Sequence, residues 1–229
     1  MKGPGRSIRL MSPTPAARIQ RAIELDDHPL YKKNRSLRHC NRIHFSKEQM
    51  PNGFEELAIR MIHHLRENGH LQEHEPLHIL DLGCGQGVFL KELKERLEDA
   101  GHSVQVFGIT LKPDVAYAQK HELGIRQGLI EELPAEWDEK MHLVVGTAIM
   151  PTVRVNEMIG QVRRVLHPDG LATIHLDHPG SPEATEEFNK RAHQDPAHFM
   201  VRPNSRSKNG AASICKNPHI FKKVGLHAD

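Results

Sequence analysis

The segment at 77–90, LHILDLGCGQGVFL, constrains this chain more than any other. Apolar Leu77, Ile79, Leu80 and Leu82 run directly into Gly83, Gly85 and Gly87, and an amphipathic run follows at once. A strand that breaks into alternate glycines and restarts as a helix brings backbone N–H groups to a point where no Cβ keeps a ligand away. In an open α/β sheet that point lies in the crevice beyond the carboxyl ends of the strands. Two nucleotide signatures are excluded. A Gly-x-Gly-x-x-Gly dinucleotide turn would need glycine three residues after Gly85, where Val88 stands, and a phosphate-cradling loop would need a Gly-Lys-Ser/Thr ending that is absent.

The rest of the chain alternates in the same sense. Phe54, Leu57, Ala58, Met61, Ile62 and Leu65 follow helical spacing ahead of a stop at Asn68-Gly69. Strands are expected at 77–82, 104–109, 141–145 and 171–176, with a weak one through Ile125. Helices are expected at 88–97 and 113–120, and in a run using Val155, Met158, Ile159, Val162 and Leu166. Strand and helix in turn at short spacing imply an α/β fold, a doubly wound parallel sheet. No stretch approaches the ~18 apolar residues of a membrane helix, and no secretory core follows the first basic residues. Cys40, Cys84 and Cys215 are too scattered for a disulfide framework, so a cytoplasmic protein without membrane contact is the expectation.

Charge divides the chain into three. Residues 1–50 hold 11 Lys or Arg against 4 acids, residues 190–229 hold 8 against 2, and the middle holds 12 against 23. Such ends suit an anionic partner such as RNA, and they equally suit basic flanks folding onto an acidic core. We read 1–50 as a basic N-terminal extension and 51–229 as the main domain, with its core at 52–177.

The Asp81-x-Gly83-x-Gly85-x-Gly87 run resembles the first motif of class I S-adenosylmethionine-dependent methyltransferases, and Val165-Leu-His167-Pro168-Asp169-Gly170 is similar to the turn that leads into that family's fifth strand. The resemblance implies a Rossmann-like sheet and S-adenosylmethionine as cofactor. It implies that Asp81, Gly83, Gly85 and Gly87 face the methionine portion. At the ribose position, where the family carries a carboxylate, this chain has Thr110. At the adenine position, where the family carries Gly-Asp-Ala, it reads Gly128-Leu129-Ile130, so Leu129 and Ile130 can pack on a purine without bonding it, unless Glu131 substitutes.

After the fourth strand comes Gly146-Thr-Ala-Ile-Met-Pro151, which lacks both the Asn/Asp-Pro-Pro-aromatic run of amine methylation in nucleic acids and a nucleophilic cysteine. Methyl transfer is a direct displacement that gains chiefly from alignment. His175 and His178, around Asp177 at the end of the fifth strand, are candidate general bases; polar residues ending a strand and capping a helix explain them equally. His63, His64, His70, His74 and His78 show no His-Glu-x-x-His pattern and read as a solvated helix end, so no metal is expected. The resemblance therefore implies methyl transfer to an O or N atom of a small molecule. An RNA or protein methyltransferase and a non-catalytic binding subunit remain the alternatives. At the C-terminus, Pro196, Pro203 and Pro218 break the pattern, only 199–202 and 212–215 read as short strands, and a last helix at 220–224 ends the chain, so an atypical sheet edge is expected.

Overall fold

Five parallel strands form one side of the sheet, out to one of its edges. They are β1 (Leu77–Leu82), β2 (Val104–Thr110), β3 (Gly124–Gln127), β4 (Met141–Gly146) and β5 (Leu166–His175). With β6 (Phe199–Asn204) and β7 (Ser207–Cys215) the order is β3-β2-β1-β4-β5-β7-β6. The computed structural model describes residues 14–26, 52–146, 154–175, 182–204 and 207–226. Among these, no helix is long and apolar enough to cross a membrane.

Period-two alternation divides the strand side chains between two cores. Leu77 and Ile79 of β1, Val104 and Val106 of β2, and Leu143 and Val145 of β4 pack with helix α2 (Asn52–Glu67) and helix α3 (Val88–Asp99). Leu80, Leu82, Ile109 and Val144 face the other way, toward helix α5 (Val155–Val165) and Phe188 of helix α6 (Pro182–Gln194). Leu80, Leu90 and Leu93 are fully buried, and each such side chain contributes about 1.5–3 kcal/mol relative to exposure. Helix α1 (Pro15–Asp26), within the basic extension, carries Arg18 to Glu132 as an ion pair. The basic run at 31–47 lies outside the described residues.

Local chemistry moves several boundaries from their expected places. Helix α4 (Val115–Lys120) starts two residues later than Pro113, because the Asp114 carboxylate accepts the Tyr117 amide at 2.9 Å and caps it. Leu166 belongs to β5 instead of the preceding helix. His167 precedes a proline, which disfavours helical backbone, and the chain is already extended at Leu166.

At the amino end of β5 the ladder to β4 is interrupted: Met141 pairs with Leu166 and Leu143 with Leu171, so His142 alone stands opposite the four residues 167–170. Gly170 is required there, since a Cβ would lie 2.6 Å from the Met141 carbonyl oxygen.

The irregularity expected at the C-terminal edge is confined to one place. Strand β7 pairs antiparallel with β5 from Leu171↔Cys215 to His175↔Ala211, and β6 pairs antiparallel with β7. Among the described residues of this pair the register shifts between Arg202 and Asn204, around Pro203, which has no N–H to give the ladder. The short helix α7 (Ile220–Lys223) follows this pair of strands and buries Ile220 and Phe221. Inward-facing Ala212 and Ile214, both fully buried, anchor β7 against the second core.

Candidate functional site

The glycine turn leaves the carboxyl end of β1 at the centre of the sheet, where Asp81 lies opposite Gly108 of β2 and Val145 of β4. The amides of Gly83 and Cys84 both donate to the Ile109 carbonyl, at 2.9 and 3.2 Å, which pins the turn to the end of β2. The Gly87 amide donates to the Cys84 carbonyl at 2.9 Å, and the Gly87 carbonyl then accepts the Lys91 amide to start α3. Gly83, Gly85 and Gly87 all have positive φ, at 77°, 56° and 85°. For Gly87 the constraint is double, because a Cβ would overlap Ile125 Cδ1 and lie 2.9 Å from Leu123 Cδ1.

Asp81 is the electrostatic anomaly of the molecule. It is 1% exposed, and its Oδ1 has no hydrogen-bond partner among the described residues. Burial alone pushes its carboxyl well above the usual carboxylate range. Burial, and then the neighbouring Asp81, also push the Cys84 thiol up, so Cys84 packs as an inert small group under the turn. A buried, unpartnered carboxylate costs free energy unless a cation meets it. A positively charged group brought to this turn would offset that cost.

The other expected cofactor residues share this edge. Thr110 ends β2 opposite Gln127, is half-buried, and accepts the Gly128 amide on its carbonyl at 3.0 Å. Leu129 and Ile130 follow at once, half-buried, with the Leu129 carbonyl accepting the Glu132 amide at 3.0 Å. Glu131 is already committed: its Oε1 accepts the Arg154 amide at 3.0 Å and lies 3.9 Å from Arg154 Nε. The Glu131–Arg154 and Arg18–Glu132 contacts, which brace this loop, join residues far apart in the chain and have no signal in the sequence.

The backbone of His175 ends β5 on the same edge, one step beyond the Gly146↔Ile174 pair, while Asp177, His178 and the loop at 147–153 lie outside the described residues. The structure thus brings Asp81, the glycine turn, Thr110 and the segment 128–130 together along β1-β2-β3, with the His175 backbone two strands away.

A family model described as a methyltransferase domain matches residues 73–219. No curated protein matches the sequence. Among solved structures the chain is similar to a TehB-like SAM-dependent methyltransferase from Corynebacterium glutamicum, with 18% identity and a TM-score of 0.51 over 83% of this chain and 100% of that one. It is similar to a putative S-adenosyl-L-methionine-dependent methyltransferase from Methanococcus maripaludis, with 14% identity and a TM-score of 0.50 over 79% and 92%. It is also similar to the CMeT domain of the citrinin polyketide synthase, with 14% identity and a TM-score of 0.51, where it aligns over 70% of its own length and spans 52% of that chain. At these identities the structural likeness speaks for the fold.

Proposed function

This chain belongs to the S-adenosylmethionine-dependent methyltransferases of class I, and on that premise we propose that it methylates an O or N atom of a small molecule. The cofactor fits the residues present: the buried Oδ1 of Asp81 has no partner among the described residues, and S-adenosylmethionine carries an ammonium group that would supply one. On this reading Asp81 and the turn of Gly83, Gly85 and Gly87 hold the methionine portion. Thr110 offers one neutral hydroxyl to the ribose, and Leu129 and Ile130 give the adenine an apolar face.

The cofactor supplies a methyl group on a sulfonium centre. The chain's task is then to align the acceptor and remove its proton, for which His175 and His178 are the proposed bases.

The observation that favours a small acceptor over RNA is where the flanking cations go. Arg18 pairs with Glu132, and Lys216 Nζ lies 2.9 Å from Glu139 Oε1, so described members of both basic flanks already meet the acidic middle. Cations engaged this way are unavailable to a phosphate backbone unless those pairs break. Free, buried Cys84 and Cys215 are consistent with a reducing compartment, and we propose a cytoplasmic location.

The test is methyl incorporation from labelled S-adenosylmethionine into fractionated small molecules and into RNA. Label in the small-molecule fraction, lost about a hundredfold or more in His175→Gln or His178→Gln with cofactor affinity unchanged, is the expected result. Salt-sensitive labelling of RNA instead would overturn the acceptor class.

A further inference from the structure

We propose that His70, His167 and Asp169 form a binding site for a divalent transition-metal ion of the zinc type, at the amino edge of the sheet and away from the methyl-transfer crevice. These three come from two elements that the fold joins. One ligand atom from each lies within 4.8 Å of the other two.

His70 is placed by the end of α2. Gly69, at φ 71°, donates its amide to the Arg66 carbonyl at 3.0 Å, and the His70 amide donates to the Leu65 carbonyl at 2.8 Å. This pair of bonds is the Schellman arrangement, and it holds the residue after the glycine in one orientation. His167 and Asp169 sit on the 167–170 excursion where β5 leaves its ladder with β4.

The supporting contacts are those of a built site. Asn217 Nδ2 donates to Asp169 Oδ1 at 2.6 Å, so the other carboxylate oxygen, Oδ2, meets His70 Nδ1. The Asp169 amide donates to His167 Nδ1 at 3.2 Å and fixes that ring. Behind it, the His142 ring stands 5.0 Å from His167 and the His78 ring 5.4 Å from His142, with the His78 amide donating to His142 Nδ1 at 3.0 Å. Asp169 is 6% exposed, whereas the His70 side chain is 43% exposed, which leaves an approach from solvent.

Two imidazoles and one carboxylate are the donor set of a borderline ion such as Zn²⁺, not of the hard, all-oxygen ions Ca²⁺ or Mg²⁺. Zinc bonds of about 2.0–2.2 Å in tetrahedral array set ligand atoms about 3.4 Å apart. The three ligand atoms, within 4.8 Å of one another, would be drawn to that spacing by an ion, and the His70 side chain, 43% exposed, has room to adjust. The ion takes the place of the hydrogen between His70 Nδ1 and Asp169 Oδ2, which leaves to solvent, and His167 supplies the second imidazole nitrogen.

Strand β5 separates the two sites. It carries the excursion at its amino end and His175 at its carboxyl end, with 171–175 spanning about 13 Å between them. The ion therefore clamps the end of α2, the start of β5 and, through Asn217, the turn before α7. Its role is structural.

The experiment uses the full chain after chelator treatment, with zinc affinity read by competition titration, thermal midpoints followed with and without zinc, and visible absorption recorded after cobalt loading. The expected result is one tight equivalent with a tetrahedral cobalt spectrum. The midpoint should rise about 5–10 °C with zinc at a hundredfold over its dissociation constant. His70→Gln and Asp169→Asn should each lose at least tenfold in affinity along with the midpoint rise. His70→Gln changes an exposed turn, and Asp169→Asn keeps an oxygen for Asn217, so at least one should fold as the parent does. Equal zinc affinity and equal midpoint rise in parent and variants would mean scattered binding by surface histidines, and would overturn the site.

Discussion

Replacing Gly87 by alanine isolates the demand that the turn places on one residue, because two other glycines serve as internal references. Gly160 sits within α5 with open space around it, so Gly160→Ala should stabilise by about 0.5–1 kcal/mol through helix propensity alone. Gly69 has φ 71° and equally open space, so Gly69→Ala should cost only the left-handed backbone penalty, about 1–2 kcal/mol. Gly87 has φ 85°, and its added Cβ would also run into Ile125 Cδ1 and Leu123 Cδ1. Both are terminal methyls of flexible side chains, so the overpacking adds about 1 kcal/mol, the low end of its range, and Gly87→Ala should cost about 2–3 kcal/mol in total. Denaturant midpoints at constant slope for the three variants give the order directly. A Gly87→Ala cost no larger than that of Gly69→Ala would refute the packing of the turn onto β3 and with it the shape assigned to the crevice.

Three further outcomes follow from the same geometry. Asp81→Asn should stabilise the ligand-free protein at pH 7 by about 1 kcal/mol or more and weaken S-adenosylmethionine binding about tenfold or more, measured by thermal unfolding and calorimetry; a carboxyl raised by burial contributes its stability at acid pH and loses it as pH rises from about 3.9 toward its folded value, so the gain should vanish near pH 3. Thr110→Asp should tighten cofactor binding about tenfold by restoring a charged acceptor, and an unchanged dissociation constant would show that Thr110 does not face the ribose. His142 is pushed down to about 3, first by burial and then by His167 and His78, so the unfolded chain binds the extra proton between about pH 6.5 and 3 and stability should fall across that window by up to about 1.4 kcal/mol per pH unit; His142→Gln should flatten that slope in denaturation at pH 7.5 and 5.

The sequence by itself determined the parallel order of elements and the place of the glycine turn, since both are written in local signals. Apolar periodicity marked β1 at 77–82 to the residue, and the alternate glycines marked a turn whose positive φ values the structure then displays. The family resemblance singled out Thr110 and Leu129, and the structure puts Thr110 at the end of β2 and Leu129 two residues beyond β3. Local signals failed where the deciding partner is remote. The pairing of β7 with β5 depends on burying Ala212 and Ile214 under a core assembled from the rest of the chain, so prolines that look disruptive in the sequence displace only one register step. Glu131 looks free to replace the family's adenine ligand until Arg154 is seen to occupy it. His70 reads as a solvated helix end until the fold sets it against Asp169, because ion pairs and ligand clusters are made by side chains whose closeness in space leaves no periodic trace along the chain.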